Sequence, residues 1–457
     1  MRSALADVAA ALVVLAVVPL ALLQVPDAIE WAVPARFASP AALDGLLRAA
    51  GLALPAMAIA APASALAVRR FRAWPVLMAG LGVFGIADIL ANTARTIAQV
   101  GIDRSLHGAA AGVILVAAVA LAVERPSRSR RVLAGWLAVC LVAALAAAAE
   151  IMRYRLRGGD WHAALQPYPW LTGVALGLAA LYAILADGAL TARTRTSFPV
   201  AERARFALIA VPVGGIAAIA IAVTYGRGDQ VIAEALATAV SLAGLAIMAG
   251  RTGSAGWCAR VCPVVGFTVA PSAGAATDLL RESPHSGLLL ATALAGATLG
   301  GAIVAVLLPS RHGLPLIACG LSLGAAGYGA CLITGLAGAG APRGQLFTLA
   351  CVPLAAGLTM ALTAALRHTG ESPGGGVAGA MCGIVLLLTG VLAGYLADGA
   401  IELQAVDGAD RDAAAVHGAL LTADARWNIV AATLAASVAL VAFAHVLIRV
   451  TSTKVDH

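Results

Sequence analysis

Long apolar stretches separated by short polar connections form the pattern of this chain along its whole length. Val13 to Leu23 reads VVLAVVPLALL, and the stretch from Gly383 to Leu396 is almost free of polar side chains. A helix needs about 20 such residues to cross a bilayer. The alternation with period two that a membrane β-barrel requires is absent. Because only helices and closed barrels satisfy their backbone groups in lipid, the pattern predicts an all-α integral membrane protein.

The apolar runs, bounded by Arg, Pro or Gly, predict about fourteen transmembrane helices. One run, 258–279, contains Pro263 and Pro271 and is predicted to be a broken or tilted span, not a loop. Without this run the count falls by one. The predicted spans are 5–30, 43–67, 75–97, 105–123, 132–152, 167–190, 205–225, 231–249, 258–279, 286–308, 314–336, 345–366, 377–398 and 427–448.

Composition and charge fit a membrane protein and exclude a nucleic-acid-binding one. Apolar residues make up 61% of the 457 residues and charged residues 12%, against roughly 45–50% and about 25% in soluble domains. The net charge of +7 comes from Arg residues in short connections, with clusters beginning at Arg69, Arg125 and Arg193 at alternate connections. The positive-inside tendency therefore predicts a multi-pass protein of the cell membrane, with both termini cytoplasmic and the acidic connection 399–426 outside.

Motifs for nucleotide binding, hydrolysis and zinc binding are missing from the sequence. Most of the seven cysteines stand inside apolar blocks, where Cys behaves as a small buried hydrophobe. Cys258 and Cys262 are four residues apart, without a second pair or a neighbouring His. We therefore expect no metal, no disulfide and no cofactor, and we do not expect an enzyme.

Three connecting segments carry motifs that can be compared with known loops. Ser64 to Arg72 reads SALAVRRFR, Arg104 to Gly108 reads RSLHG, and Arg367 to Glu371 reads RHTGE. The first two resemble the G-x-L-A-D-R-x-G-R and R-x-x-Q-G loops of the major facilitator superfamily, and the third resembles its loop after helix twelve. The two central spans in 205–249 resemble the extra pair that distinguishes its fourteen-helix drug:proton antiporter branch.

The resemblance implies a fold and a function. The fold is two six-helix bundles, 1–200 and 257–457, with two extra transmembrane helices in 201–256. The function is secondary active transport, and we expect a proton-coupled exporter of a hydrophobic or lipid-like small molecule. Aromatic residues make up only 5% of the chain, so flat cations would find few stacking partners.

Two other functions remain open at this point. Val68 and His107 stand where the family has Asp and Gln, and such departures fit a non-transporting membrane protein of the same fold that acts as a protein partner or assembly subunit. A membrane enzyme acting on lipid would need a polar cluster at the membrane surface. The segment 399–426 and the pair Trp161–His162 are the candidates for such a cluster.

Ionisable residues inside apolar runs are costly and often mark transport pathways. Asp88 lies near the middle of the third predicted span, and Asn92 and Arg95 follow at a spacing that puts them on its helix face. In the family the motif Arg, here Arg104, is tied to proton coupling, and His107 lies one turn later. These five residues are the predicted proton-coupling or substrate residues, with Asp88 expected to face Arg104. A structural ion pair is the alternative.

Four further charged residues lie near predicted outer ends of spans: Asp27, Glu30, Glu150 and Arg153. They are candidates for an outer gate, and ordinary surface charge is the alternative interpretation. Membrane lipid, a small hydrophobic substrate and protons are the expected partners, and a protein partner belongs to the alternative function.

Overall fold

The computed structural model describes residues 2–26, 28–34, 37, 39–156, 161–166, 168–186, 200–225, 256–280, 286–309, 312–336, 343–370, 376–407 and 413–455. Regular structure in this part of the chain is entirely helical. A short 3-10 turn covers Ile29–Ala32. The α-helices are α1 (Arg2–Leu22), α2 (Pro40–Ala50), α3 (Ala53–Phe71), α4 (Ala73–Ala91), α5 (Ile97–Val123), α6 (Ser127–Leu156), α7 (His162–Leu165), α8 (Pro169–Leu185), α9 (Val200–Tyr225), α10 (Gly256–Leu280), α11 (Ser286–Leu307), α12 (Gly313–Leu336), α13 (Arg343–Gly370), α14 (Gly376–Asp407) and α15 (Ala413–Val455).

Eleven helical segments within the described residues are long and apolar enough to cross a membrane. The helix α9 contains a shorter apolar stretch, Ile209–Ala222, and α10 is a further helix of 25 residues. The predicted span 231–249 lies outside the described residues. The all-α, multi-pass membrane architecture is thus confirmed, and the count of fourteen spans stays a prediction.

The proline-containing run forms α10, one continuous helix that includes both Pro263 and Pro271. The expectation that this run is not a loop is confirmed, and the expected break is not present. The helix packs along α14, and Gly390 approaches so closely that a Cβ there would overlap the Pro263 carbonyl oxygen. Tight enclosure by a neighbouring helix explains why the missing hydrogen bonds do not end the helix.

The predicted outer loop 399–426 is wrong in its extent. The helix α14 continues to Asp407 and α15 begins at Ala413, so Glu402 and Asp424 are helical residues. Residues 408–412 lie outside the described residues. Charged residues do not end a helix; they only mark where it leaves the apolar layer. Counting apolar runs therefore placed the end of α14 too early and the start of α15 too late.

Two sets of six helices make the same pattern of contacts. In the first set α1 contacts α5, α6 and α8, α3 contacts α5, and α4 contacts α5 and α8. In the second set α10 contacts α13, α14 and α15, α11 contacts α13, and α12 contacts α13 and α15. Each of these contacts in one set has its counterpart in the other, which relates α1, α3, α4, α5, α6 and α8 to α10, α11, α12, α13, α14 and α15. We refer to these sets as the first half and the second half.

The two halves pack against each other through α6 and α14. The helix α6 contacts α10, α11 and α13, and α14 contacts α3 and α5. The helix α9 lies beside this interface and contacts α3 and α14. Gly135 is at a close approach of α6 to α11 and α13. A Cβ at this position would lie 2.7 Å from a methyl carbon of Val306 and 3.6 Å from the methyl carbon of Thr363.

Glycine allows the closest helix contacts within each half. A Cβ on Gly108 of α5 would overlap the carbonyl oxygen of Ala53 on α3. The counterpart is Gly301 of α11, whose Cβ would overlap the carbonyl oxygen of Ala356 on α13. Lipid provides no hydrophobic driving force for helix association, so close packing of the helix backbones stabilises these contacts instead.

Candidate functional site

The helix α5 places three ionisable residues inside the first half. Thr96 and Gln99 form a capping box at its beginning, so the helix starts at Ile97 and not at residue 105 as predicted. Asp103, Arg104 and His107 therefore lie on its second and third turns, with 1%, 2% and 0% of their surfaces exposed. The helix thus begins about two turns before the predicted start of this span.

His107 lies between two carboxylates. Its Nε2 is 3.1 Å from Asp88 Oδ1 on α4, and its Nδ1 is 3.3 Å from Asp103 Oδ2 one turn away on α5. The hydroxyl of Thr172 on α8 donates a hydrogen bond of 2.6 Å to the second oxygen of Asp88. A doubly protonated imidazole can donate to both carboxylates, whereas the neutral ring has one donor. We call Asp88, Asp103, His107 and Thr172 the His107 cluster.

The cluster is enclosed. The ring of Phe84 packs edge-on against His107, with ring centroids 4.7 Å apart. Asp88 is 7% exposed, and Asp103 Oδ1 is buried without a hydrogen-bond partner among the described atoms. A buried carboxylate oxygen without a donor is costly, and a proton or a water molecule would satisfy it. The arrangement can therefore hold and pass a proton between His107 and either carboxylate.

Arg104 connects α5 to the ends of two other helices. Its guanidinium donates to the side-chain oxygen of Gln24 at 2.8 Å, to the Gln24 carbonyl at 3.0 Å and to the Ala50 carbonyl at 3.3 Å. Gln24 follows α1 and Ala50 ends α2, so the cation lies at the negative ends of two helix dipoles. The hydrogen bonds recorded for Asp88 go to His107 and Thr172, so the expected direct pairing of Asp88 with Arg104 is replaced by pairing with His107.

The other two candidates of this group lie beyond the end of α4. That helix ends at Ala91, and Arg95 lies in the connection to α5 with an exposed side chain, so Asp88, Asn92 and Arg95 do not share one helix face as predicted. Asn92 is the C-cap residue of α4, and its Nδ2 lies 3.5 Å from the carbonyl oxygen of Asp88. The amide of Gln166 donates a hydrogen bond to Asn92 Oδ1.

The structure describes the side chains of two of the four outer-gate candidates, Glu150 and Arg153. Asp27 lies outside the described residues, and Glu30 belongs to the 3-10 turn, where its side chain is not described. Glu150 and Arg153 are half-buried residues in the last turns of α6, which continues to Leu156. Their proposed role as a gate stays a prediction.

Sequence reasoning missed Gln24, Asp103, Thr172 and Gln166. The spacing of Asp103 and His107, four residues apart, puts both on one helix face and was a readable signal. Gln24 and Thr172 contact residues 80 and 84 positions away along the chain. One sequence contains no signal for contacts of that kind.

Metal-binding geometry does not occur among the residues that the structure describes, since no group of three His, Cys, Asp or Glu side chains could hold an ion. Cys258 and Cys262 are free thiols whose sulfur atoms lie 3.4 Å apart beside Gly383 of α14. A tight helix contact accounts for this pair.

The second half has a polar cluster of a different kind. Tyr328 of α12 is fully buried near Thr268 and Ser272 of α10. The indole of Trp427 on α15 donates to the Ser272 hydroxyl at 3.2 Å and stacks on Phe267, with ring centroids 5.1 Å apart. This cluster has hydroxyl and aromatic groups but no charged side chain among the residues named.

No protein-family model matches the chain, and no curated protein matches it significantly in sequence. Solved structures do match. The proton:xylose symporter XylE of E. coli is 14% identical, with a TM-score of 0.56 over 94% of this chain and 95% of that one. The human organic anion transporter MFSD10 is 15% identical, with a TM-score of 0.55 over 94% and 99%.

A third match is the E. coli fucose:proton symporter FucP, 14% identical with a TM-score of 0.50 over 93% of this chain and 96% of that one. All three proteins are transporters, and two of them, XylE and FucP, are proton symporters of sugars. At such low identity the likeness shows the fold alone. The chain therefore has the major facilitator fold, and its resemblance to the fourteen-helix branch stays a prediction.

Proposed function

We propose that this chain of major facilitator fold is a secondary active transporter that couples the movement of a small molecule to protons at the His107 cluster. The observation that carries the proposal is His107, buried between the carboxylates of Asp88 and Asp103. Buried ionisable groups in membrane helices are expensive and are kept where they serve a pathway.

The charges of the cluster support one exchangeable proton. With Asp88 and Asp103 ionised, Arg104 and a protonated His107 make the buried set neutral. Removing one proton leaves a net negative charge in a medium of low dielectric constant, and adding one leaves a net positive charge. Gain or loss of a single proton thus changes the stability of the arrangement, and a conformational change in α4, α5 or α8 can follow it.

A hydrophobic or lipid-like substrate is the second part of the proposal. The helix α14 lies at the contact between the halves and is apolar and largely buried. Thr363 of α13 lies beside Gly135 of α6 at the same interface, and Thr359 is one turn before it. Both have buried hydroxyls without a hydrogen-bond partner among the described atoms. Such a lining offers apolar contact and a few polar groups. Export is the direction typical of the branch that the loops resemble.

The proposal also includes an arrangement in the membrane. The two bundles are 1–200 and 257–457, with 201–256 between them, and both termini are cytoplasmic in the cell membrane. Two proteins of similar structure, XylE and FucP, are proton symporters, which supports proton coupling by analogy of fold alone.

The second candidate function is a non-transporting membrane protein that acts as a partner or assembly subunit. Arg104 favours it, because its three hydrogen bonds fasten the ends of α1 and α2 to α5, as a purely structural residue would. Under this interpretation His107 and its carboxylates are a packed ion network without a transport role.

Proton flux across a reconstituted membrane tests the proposal. The purified protein is placed in liposomes that contain the pH-sensitive dye pyranine, and compounds are added outside under an imposed pH gradient. The compounds are Nile red and lysophosphatidylcholine, with D-xylose and L-fucose as polar comparisons. We expect one of the hydrophobic compounds to change the internal pH, and we expect Asp88→Asn to reduce that response to the level of empty liposomes.

Tyr328→Phe is the matched control, because Tyr328 occupies the position of the second half that corresponds to Asp88. It should leave the flux nearly unchanged. If Asp88→Asn retained the full flux with the same pH dependence, the coupling role would be wrong. A response to the sugars alone would contradict the hydrophobic substrate, and no response to any compound would favour the non-transporting alternative.

A further inference from the structure

A compact apolar layer covers one end of the first half. It consists of α2, the 3-10 turn Ile29–Ala32 and α7, which pack together at the end where α4 stops and α5 begins. Ile29, Leu46 and Leu165 are at most 1% exposed in it. The rings of Phe37 and Trp161 meet edge-on, with centroids 6.1 Å apart. We call this layer the cap.

The cap meets α4 directly above the His107 cluster. Asn92 closes α4 one turn after Asp88, and Gln166 follows α7 at the edge of the cap. The Gln166 amide donates to Asn92 Oδ1, which makes a polar contact at the border of an otherwise apolar layer. Gln166 is 7% exposed, and its Oε1 is buried without a hydrogen-bond partner among the described atoms.

We propose that Gln166 and Asn92 form the entry through which protons and water reach Asp88 from this end of the protein. The apolar cap excludes bulk water, whereas two neutral amides can exchange their mutual hydrogen bond for bonds to water at little cost. The unpaired Oε1 of Gln166 provides an acceptor for such a water. The inference rests on the proposed function, since it supplies the route to the proposed proton site.

Arg104 explains why the border can open without loss of the cap. The three hydrogen bonds from Arg104 hold the end of α1 and the end of α2 on α5, whereas α7 is joined to α4 through the Gln166–Asn92 contact. The charged contacts are the stronger ones. Opening is therefore expected at the amide contact first, and Gln166 acts as a positioning residue that sets access to Asp88 and His107.

Chemical labelling of His107 measures this access without a substrate. The full-length protein in liposomes is treated with diethyl pyrocarbonate, which modifies neutral imidazoles, and the labelling rate of each His is followed by mass spectrometry. His312 is half-buried in the connection before α12 and serves as the internal reference. We expect Gln166→Ala to raise the labelling rate at His107 about tenfold. The free energy of the hydrogen bond that it removes corresponds to about a factor of ten in the equilibrium between the closed and the open border. Gln166→Leu should lower the rate, because it fills the border with apolar volume.

Trp136→Phe is the control for a general loosening of the first half. It removes the hydrogen bond from Trp136 Nε1 to the Ala11 carbonyl, 2.9 Å long, at the middle of α1. The labelling rate at His107 should not change in this variant. A merely structural role of Gln166 would give rate changes of the same sign in the Ala and Leu variants, and that result would overturn the proposal.

Asn92→Leu provides a second variant if Gln166→Leu does not fold, because Asn92 has an exposed side chain. It should also slow labelling at His107, and an unchanged rate would contradict the proposed entry. The outcome is separable from that of the flux measurement. Altered labelling without substrate-driven flux would retain the entry and reject transport, and flux with unaltered labelling would reject the entry alone.

Discussion

The two halves of the molecule share a packing pattern and differ in chemistry. Asp88 stands fifteen residues after Ala73, the first residue of α4, and Tyr328 stands fifteen residues after Gly313, the first residue of the corresponding helix α12. Asp88 contacts groups on α5 and α8, and Tyr328 lies near groups on α10, close to Trp427 of α15. Equivalent places between helices are therefore polar in both halves.

The difference is the charge of these places. The first half has two carboxylates, an imidazole and a guanidinium in its buried cluster, and the second half has a phenol, hydroxyls and an indole. Neutral hydroxyls can be buried at the cost of a hydrogen bond, whereas buried charges need partners and respond to protons. The comparison indicates that the shared packing supplies the framework and that, of these two equivalent places, the one in the first half holds buried ionisable groups.

The largest expected effect distinguishes the two buried guanidinium groups. Arg104→Met removes one of the two cations that balance the carboxylates of Asp88 and Asp103 and leaves three oxygen acceptors without this donor. We expect it to destabilise the protein by about 3–5 kcal/mol. Arg367→Met removes a cation that donates to the carbonyls of Ala305 and Leu308 at the end of α11, and about 1–2 kcal/mol is expected. The free energy of unfolding is measured by SDS titration, with the reactivity of buried Cys258 as the signal.

Equal losses for the two Arg variants would contradict the view that charge balance, and not helix capping alone, distinguishes the first half. Arg104→Lys is a useful companion variant. It keeps the charge but loses the planar donor geometry that reaches both Gln24 and Ala50. Its loss should be intermediate.

The spans were predictable because apolar runs in lipid have one structural solution, and α11 and α12 begin and end within one residue of their predicted bounds. Helix ends were less predictable. The start of α5 was missed although Thr96 and Gln99 carry a capping-box pattern, and the ends of α14 and α15 were missed because charged residues continue a helix outside the apolar layer.

The candidate site was predictable in its members but not in its pairing. Asp88, Arg104 and His107 were found because ionisable residues are rare in apolar runs. Their partners depend on which faces of α1, α2, α4 and α8 meet α5, and loop motifs do not contain that information. The correspondence between Asp88 and Tyr328 was likewise invisible, since equivalent helices here share packing and not residue identity.

A second comparison concerns the framework itself. Gly108→Ala and Gly301→Ala each place a methyl group on a carbonyl oxygen of the neighbouring helix, at equivalent contacts in the two halves. Each should cost about 1–3 kcal/mol because the helices must separate. SDS titration should give similar losses for both variants.

The halves should differ in the consequence of this separation. Gly108 lies next to His107, so moving α3 away from α5 should also alter diethyl pyrocarbonate labelling of His107. Gly301→Ala should leave that labelling unchanged. If the Gly301 variant altered labelling as strongly as the Gly108 variant, access to the His107 cluster would depend on the whole framework.

The smallest expected effects compare single hydroxyls at equivalent places. Thr172→Val removes the hydrogen bond to the Asp88 carboxylate, and Ser272→Ala removes the acceptor of the Trp427 indole. A bond to a charged group is worth about 1.5–3 kcal/mol and a neutral one about 0.5–1.5 kcal/mol, so the first loss should be larger.

The more informative difference is the pH dependence of the two losses. The Thr172 variant leaves Asp88 more dependent on its contact with His107, the proposed carrier of the exchangeable proton, so its loss should vary with pH. The Ser272 variant changes contacts between neutral groups, so its loss should be constant. Two pH-independent losses would mean that Thr172 and the carboxylate it contacts are not coupled to protonation of His107, and the first half would then differ from the second in composition alone.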